Sequence, residues 1–264
     1  KNLEKIILSQ NDKKIISLYF HNDPLSMDGS KSVNDRKFLL NKCHKIIFNS
    51  NWSKKRFLEG LENRFVNSNK LSVFYQSARK GSLSLINKKK KWITFVGKLN
   101  KAKGYDIFAK AIVKVLNKNS KWKAKIIGDE KREKIKLIHK NADVLGFKKH
   151  EEVIKIFKET SIAVACSRWE EPFGRTSLEA SANGCAVIIT NKGGLPETVT
   201  NAKILNSLTV NNLEKNINNL IKNTVLRKKL QKLSIQNFNL THDFITKEID
   251  NYRSEKLINI NKFN

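Results

Sequence analysis

Two carboxylates set around a glycine turn are the residues of this chain whose types and spacing most directly suggest chemistry. In the run Ser167-Arg-Trp-Glu-Glu-Pro-Phe-Gly-Arg-Thr-Ser-Leu-Glu179, Glu171 stands just before a Phe-Gly turn and Glu179 follows it. The apolar runs Ile162-Ala-Val-Ala165 upstream and Cys185-Ala-Val-Ile-Ile189 downstream read as buried strands, so the turn should join a strand end to a helix start. A helix start exposes unpaired amides and a partial positive charge. The amides of Phe173, Gly174 and Arg175, with Thr176 beside them, could therefore hold phosphate or sugar oxygens, and Gly174 permits close approach. Read alone, Glu171 is equally a helix N-terminal acid stabilised by about 0.3–1 kcal/mol, and Glu179 a surface acid of the helix.

A second constellation lies upstream. Phe95-Val-Gly-Lys-Leu-Asn-Lys-Ala-Lys-Gly104 joins another strand end to another helix start, with Gly97 at the turn and Lys98 and Lys103 aimed at one crevice. That suits a diphosphate: a lysine about 4 Å from a phosphate oxygen contributes on the order of 4 kcal/mol at an effective dielectric near 20, before desolvation. Such a pair could replace a divalent cation. By itself the motif also fits an ordinary strand-to-helix loop with surface lysines. His21 closes a predicted parallel strand, where ligands gather in open α/β sheets, although a hydrogen-bonded loop histidine fits the position too. Asn22 and Asp23 could position a ligand or form a turn before Pro24.

The elements that must position these residues alternate between strand and helix, which implies parallel sheets covered on both faces, an α/β architecture. A first unit has strands at 14–20, 45–48 and 71–75, with helices ending near Cys43 and covering 52–61. Residues 79–91 hold Gly, Ser and a lysine run and read as an exposed linker. A second unit follows with strands at 92–96, 122–127, 142–145, 162–165 and 186–189. Its helices are expected at 105–116, to about His139, at 151–159, around Glu179, and from Asn211 onward. The expected division is 1–78, linker 79–91, 92–240, and a C-terminal amphipathic helix in 241–264 returning to the first unit, with Phe244, Ile245, Ile249 and Tyr252 near one face.

Composition narrows the class. The 264 residues and 39% hydrophobic content suffice for two modest cores. No apolar run approaches the roughly 18 residues of a membrane span and no signal-peptide pattern is present, so the expectation is a cytoplasmic protein. Cys43, Cys166 and Cys185 are odd in number, lack C-x-x-C spacing and read as reduced structural thiols, with no metal assigned. The net charge of +28, from 52 Lys and Arg against 24 Asp and Glu, would attract phosphate-bearing partners or an anionic membrane surface, or reflects a generally lysine-rich composition. The sequence starts at Lys1 and its one methionine is Met27, which reads as a fragment or trimmed chain.

Taken together, Glu171 and Glu179 as an E-x7-E pattern, Val96-Gly-Lys-Leu99 with Lys103-Gly104, and the loop Gly193-Gly-Leu-Pro-Glu197 resemble the nucleotide-binding half of the family 4 retaining glycosyltransferases, which have the GT-B fold. The resemblance covers nearly all of residues 91–239, and His21-Asn-Asp-Pro24 with Lys45-Ile-Ile-Phe-Asn-Ser50 extends it into the first unit. It implies two Rossmann-like domains facing a cleft, the first incomplete, and transfer of a sugar from a nucleotide-sugar to a glycan or lipid-linked acceptor of the cell envelope. In that frame Glu179 would hold the donor ribose, Glu171 would face the transferred sugar, and Lys98 and Lys103 would neutralise the leaving diphosphate. Gly146 and Phe147 would meet the base, Gly128 would line the same crevice, His21 would face the donor, and Asn22 and Asp23 the acceptor. No cofactor beyond the donor and no metal is implied, and the basic surface could hold the enzyme at the inner leaflet. Lys98 departs from the family's usual Arg, offering a point charge in place of a bidentate fork. The family's Asn-Gly turn out of the first domain is replaced by Tyr75-Gln-Ser-Ala78.

Other classes fit less well. A glycoside hydrolase needs carboxyls roughly 5–9.5 Å apart, whereas Glu171 and Glu179 would lie about 12 Å apart along a helix. No G-x-S-x-G marks a serine hydrolase. A GT-B sugar epimerase shares the fold but not these transferase elements. A non-catalytic basic module for RNA or other polyanions remains the alternative, without an RNA-recognition aromatic motif and with no specific nucleic acid implied. Salt separates the two: affinity of a polyanion module should collapse between roughly 50 and 200 mM salt, whereas nucleotide-sugar binding measured by calorimetry should change little over that range.

Overall fold

The computed structural model describes residues 2–10, 15–66 and 68–261. In chain order its helices and strands are α1 (Asn2–Leu8), β1 (Ser17–Phe20), α2 (Val33–Lys42), β2 (Lys45–Phe48), α3 (Asn51–Leu58), β3 (Leu71–Val73), β4 (Lys90–Val96), α4 (Tyr105–Lys118), β5 (Lys123–Ile127), β6 (Ala142–Val144), α5 (His150–Glu159), β7 (Thr160–Ala165), α6 (Arg175–Ala182), β8 (Ala186–Thr190), β9 (Ala202–Leu205), α7 (Val210–Lys222), α8 (Thr224–Gln236) and α9 (His242–Asn261). Tertiary contacts divide the chain into two units, one running to Gln76 and resuming with α9, the other from Ser77 to Thr241. No helix among the described residues is long and apolar enough to cross a membrane.

The first unit is a parallel sheet in the order β1-β2-β3. Its core gathers Phe20, Phe48 and Phe57, whose ring centroids lie 5.2–5.6 Å apart, with Leu39 and Leu40 of α2. A capping box between Ser32 and Asp35 starts α2. On α9, Tyr252 lies against Phe74 at 5.9 Å, with the Lys45 ammonium over its ring. The first strand, expected over 14–20, starts at Ser17, and Lys14 lies outside the described residues. Of the apolar stripe expected on α9, Ile245 is buried but Phe244 is 45% exposed.

In the second unit six parallel strands run in the order β6-β5-β4-β7-β8-β9. Both faces of this sheet are buried at its centre, which is why residues 162–165 of β7 and 186–189 of β8 are continuous apolar runs. Ile93 and Phe95 of β4 and Ile188 of β8 face α4 and α7 through Phe108, Ile112, Leu213 and Ile217. Val187 and Ile189, the alternate positions of β8, face α5 and α6 through Phe157 and Ala180. The order reverses between β4 and β7: β5 lies on one side of β4 and β8 on the far side of β7.

One sequence expectation fails here. The basic helix expected to end near His139 does not form, and residues 133–139, between β5 and β6, are neither helix nor strand. Ile135 and Leu137 pack against the core while Lys134, Lys136 and Ile138 are exposed, a period of two that the charge pattern masked. The acids that would have opened a helix are engaged elsewhere: the Glu130 carboxylate accepts from the Arg132 amide and guanidinium and from Asn100, and Glu133 accepts from the Lys101 amide. Residues 79–91, expected as an exposed linker, are largely exposed and belong to the second unit. The Gly81 amide donates to Ala182, Leu83–Lys88 form a 3-10 turn, and Lys90 already belongs to β4. Lys89 donates to the carbonyls of Phe157 and Asn183, placing a cation at the C-terminal ends of α5 and α6.

Gly104 fixes how β4 delivers its loop. It precedes α4 in the left-handed conformation at φ 71°, and a Cβ there would run into the carbonyl oxygen of Cys166, just beyond β7. The Gly104→Ala variant should lose about 2–4 kcal/mol of unfolding free energy, from left-handed strain and overpacking together, as read by urea denaturation.

Candidate functional site

The site is built where β4 and β7 part. The loop after β4 leads to α4 on one face of the sheet, and the loop after β7 leads to α6 on the other. Between them opens a pocket of about 200 Å3 whose floor is Phe95, Val96, Gly97, Ala165, Cys166 and Ser167. Gly174, Arg175 and Thr176, the residues that open α6, form one wall, so the amides at that helix start face an anion-sized space. Lys103 and Glu171 complete the lining with Leu195.

Lys103 and Glu171 form an ion pair, Nζ to Oε1 at 2.5 Å, with side chains 34% and 12% exposed. Each is held from behind. The Lys103 amide donates to the Asn100 side chain at 3.0 Å, and Asn100 is itself buried. The Glu171 carbonyl accepts from Gly194 at 2.6 Å, and Gly193, at φ 59°, lies so close that a Cβ would strike the Glu171 backbone. The carboxylate of Glu170 accepts from the Gly193 amide and pairs with Lys192. This loop thus clamps the acidic segment over the pocket, and at Gly193 the close approach leaves no room for a side chain.

Of the residues expected from the sequence, Gly97, Lys103, Glu171, Gly174, Arg175 and Thr176 meet around this pocket. Glu179 does not line it. It sits on α6, 7% exposed, with Oε1 accepting from His150 Nε2 at 3.1 Å and Arg175 Nη2 at 3.0 Å, rather than on a solvated helix face. Phe173 is buried at 2% exposure, so its side chain supports the turn. Lys98 is exposed, pairs with no acid among the described residues and is outside the pocket lining, because the chain turns there to let the Leu99 amide reach the carbonyl of Asp129. Gly128 and Gly146 end neighbouring strands, tied by the Gly128 amide donating to Gly146 at 2.8 Å, and Phe147 is 74% exposed beyond them.

The first-unit candidates are placed separately. Asp23 caps the 3-10 turn Pro24–Ser26, accepting from the Leu25 amide, and pairs with Arg56 at 3.3 Å, so its carboxylate is committed to local structure. His21 and Asn22 are exposed; the His21 ring lies 4.2 Å from that of Tyr19, and its Nδ1 is 3.3 Å from the Gln76 amide nitrogen. Sequence reading missed His150 and Asn100. The Lys149–Glu152 capping interaction marks a helix start at His150, but no spacing in the chain links that histidine to Glu179.

Among the described residues no group of three His, Cys, Asp or Glu is placed to hold a metal ion. Cys166 lies at the pocket floor, but burial pushes its thiol up to about 12, which leaves it un-ionised near neutral pH. Cys43, Cys166 and Cys185 are all buried and free. The native protein should therefore react negligibly with an aromatic disulfide reagent over minutes, and release three equivalents on unfolding in guanidinium.

The structure is similar to Anabaena Alr3699/HepE solved in complex with UDP-glucose, with a TM-score of 0.75 and 18% identity, covering 92% of this chain and 73% of that one. That likeness identifies the fold as the one shared by GT-B glycosyltransferases. Among curated proteins, spore coat protein SA of Bacillus subtilis is 28% identical over 168 residues, 55% of this chain and 43% of its own length. An uncharacterized 41.2 kDa protein in the cps region of Klebsiella pneumoniae is 31% identical over 147 residues, 51% of this chain and 40% of its own. The matched stretch is thus less than half the length of either relative. The family model for glycosyl transferases group 1 matches residues 79–237, more than half of the chain, a span that contains the whole pocket and its ion pair: the chain belongs to that family.

Proposed function

We propose that this protein is a retaining glycosyltransferase that moves a hexose from a nucleoside-diphosphate sugar to a glycan or lipid-linked acceptor of the cell envelope. The observation that carries the reading is the convergence of the α6 N-terminus and the Lys103–Glu171 pair on one pocket at the point where strand order reverses. Helix amides and a lysine receive a diphosphate, and a carboxylate beside them faces the sugar carbon that gains positive charge. The UDP-glucose held by the HepE structure supports a nucleotide-sugar donor, and the spore-coat and cps-region names of the relatives support an envelope acceptor.

In the proposed reaction the bond from sugar C1 to the diphosphate oxygen breaks, and the acceptor oxygen bonds C1 on the same face. The acceptor proton passes to the departing diphosphate, so no protein nucleophile is needed. As diphosphate enters, Lys103 exchanges its partner from Glu171 to phosphate, which frees the carboxylate for the sugar. Preorganised charge of this kind can be the largest single term in catalysis. Glu179 accepts from the ribose hydroxyls, and Gly146 and Phe147 lie by the base. Lys98, exposed beside Gly97, reaches the outer phosphate oxygens; His21 is assigned to the donor and Asn22 to the acceptor. The lysines serve in place of a metal, and the protein works in the cytoplasm with its basic surface against the inner leaflet.

Calorimetry with UDP, GDP and ADP and their sugar conjugates, paired with a transfer assay, tests this reading. Glu171→Gln should lower kcat by about 100-fold or more while leaving the Kd for the diphosphate within about threefold. Lys103→Ala should weaken the diphosphate by about 10- to 100-fold and the free nucleoside hardly at all. Chelation by EDTA should leave both binding and transfer unchanged. Equal nucleotide affinity in all variants, or binding lost between roughly 50 and 200 mM salt, would sink the assignment in favour of a polyanion module.

A further inference from the structure

Glu179 is an unusual carboxylate for a helix this buried. Residues Ser177 to Ala182 of α6 are all buried, and Glu179 is 7% exposed among them. Both of its hydrogen bonds land on Oε1: one from Arg175 on the same helix, one from His150 at the start of α5. Among the described residues Oε2 has no protein partner, and it is not one of the sealed unpartnered atoms, so it is the oxygen left to a ligand. The two donors are not equivalent. Arg175 is one turn away on the same helix and its side chain is 62% exposed, so it cannot fix the carboxylate against the rest of the site. His150 comes from another element, and its backbone is held there by Lys149, whose amide donates to the Glu152 carboxylate at 3.0 Å, and by the Lys148–Glu152 pair. Because an ionised carboxylate only accepts, His150 Nε2 carries the proton in this contact.

Resting on the nucleotide-sugar reading above, we infer that His150 is a positioning residue of the donor site: it locks Oε1 of Glu179 so that Oε2 is presented to the vicinal hydroxyls of a ribose, and it thereby makes the site select ribonucleotides over deoxyribonucleotides. The position of His150 adds a second consequence. It directly follows the segment Gly146-Phe-Lys-Lys149 that leaves β6, so a base lying on that segment and a ribose held by Glu179 are registered to each other through one imidazole. Discrimination arises because a buried acceptor held in one geometry loses its partner when the hydroxyls are removed, whereas a mobile carboxylate turns away and loses less.

The test measures Kd for UDP, GDP and ADP beside their 2′,3′-dideoxy counterparts, on wild type, His150→Ala, His150→Gln and Glu179→Ala of the whole chain. Wild type should bind the preferred ribonucleotide at least about tenfold tighter than its dideoxy form. His150→Ala should lose about tenfold for the ribonucleotide and less than twofold for the dideoxy form, and Glu179→Ala should show the same selective loss. His150→Gln, which keeps an N–H donor, should regain part of the discrimination. Equal weakening of both ligands by His150→Ala, or no change in their ratio, would overturn the positioning role while leaving the donor site standing. Absence of any nucleotide binding by wild type would overturn the donor reading itself, and this inference with it.

Discussion

Two neighbouring parallel strands whose outgoing loops leave for opposite faces of the sheet create the space on which everything else in this protein depends. Between β4 and β7 no loop crosses, because α4 covers one face and α6 the other. The backbone groups beyond both strands are therefore left facing a gap rather than each other. Gly104 keeps that gap at its working width by letting the first loop pass directly against the carbonyl of Cys166, and Gly193 seats the acidic segment by passing against Glu171. Neither contact is attractive in itself. Each is a steric permission that a side chain would withdraw.

The electrostatics of the site follow from this packing. In a chain of net charge +28, an acid finds a cation nearby almost anywhere on the surface, and most such pairs contribute little. Lys103–Glu171 differs because its carboxylate is 12% exposed at the pocket wall and because both partners are gripped through their backbones. Such a pair is poorly suited to stabilising the fold, since its lysine remains one-third exposed and is screened. It is well suited to exchanging partners: a phosphate can replace the carboxylate on the lysine without moving either loop.

Legibility from the sequence varied with how local the cause was. The order of strands and helices in the second unit could be read because strands buried on both faces are continuous apolar runs and α4 carries a strong apolar stripe. The irregular segment 133–139 was hidden for a local reason too. Its alternating Ile135 and Leu137 are spaced by Lys136, and a basic run with acids ahead of it imitates a helix start until Asn100 and Lys101 are seen to claim those acids. Short β9, Ala202–Leu205, gives little signal because four residues with two exposed cannot establish a period.

By itself the sequence determined the chemical parts: a lysine after a Val-Gly turn, a carboxylate before a helix start, and the glycines where backbones must touch. These are fixed by residue type and short spacing, which the chain carries whatever its fold. Only the tertiary structure decided which parts meet. It joined Lys103 to Glu171 across the switch between β4 and β7, left Lys98 outside the pocket lining five residues earlier, and brought His150 to Glu179 from a different element. Those pairings depend on where parallel strands are placed in the sheet, a consequence of burying two apolar faces at once, and no spacing along the chain encodes it.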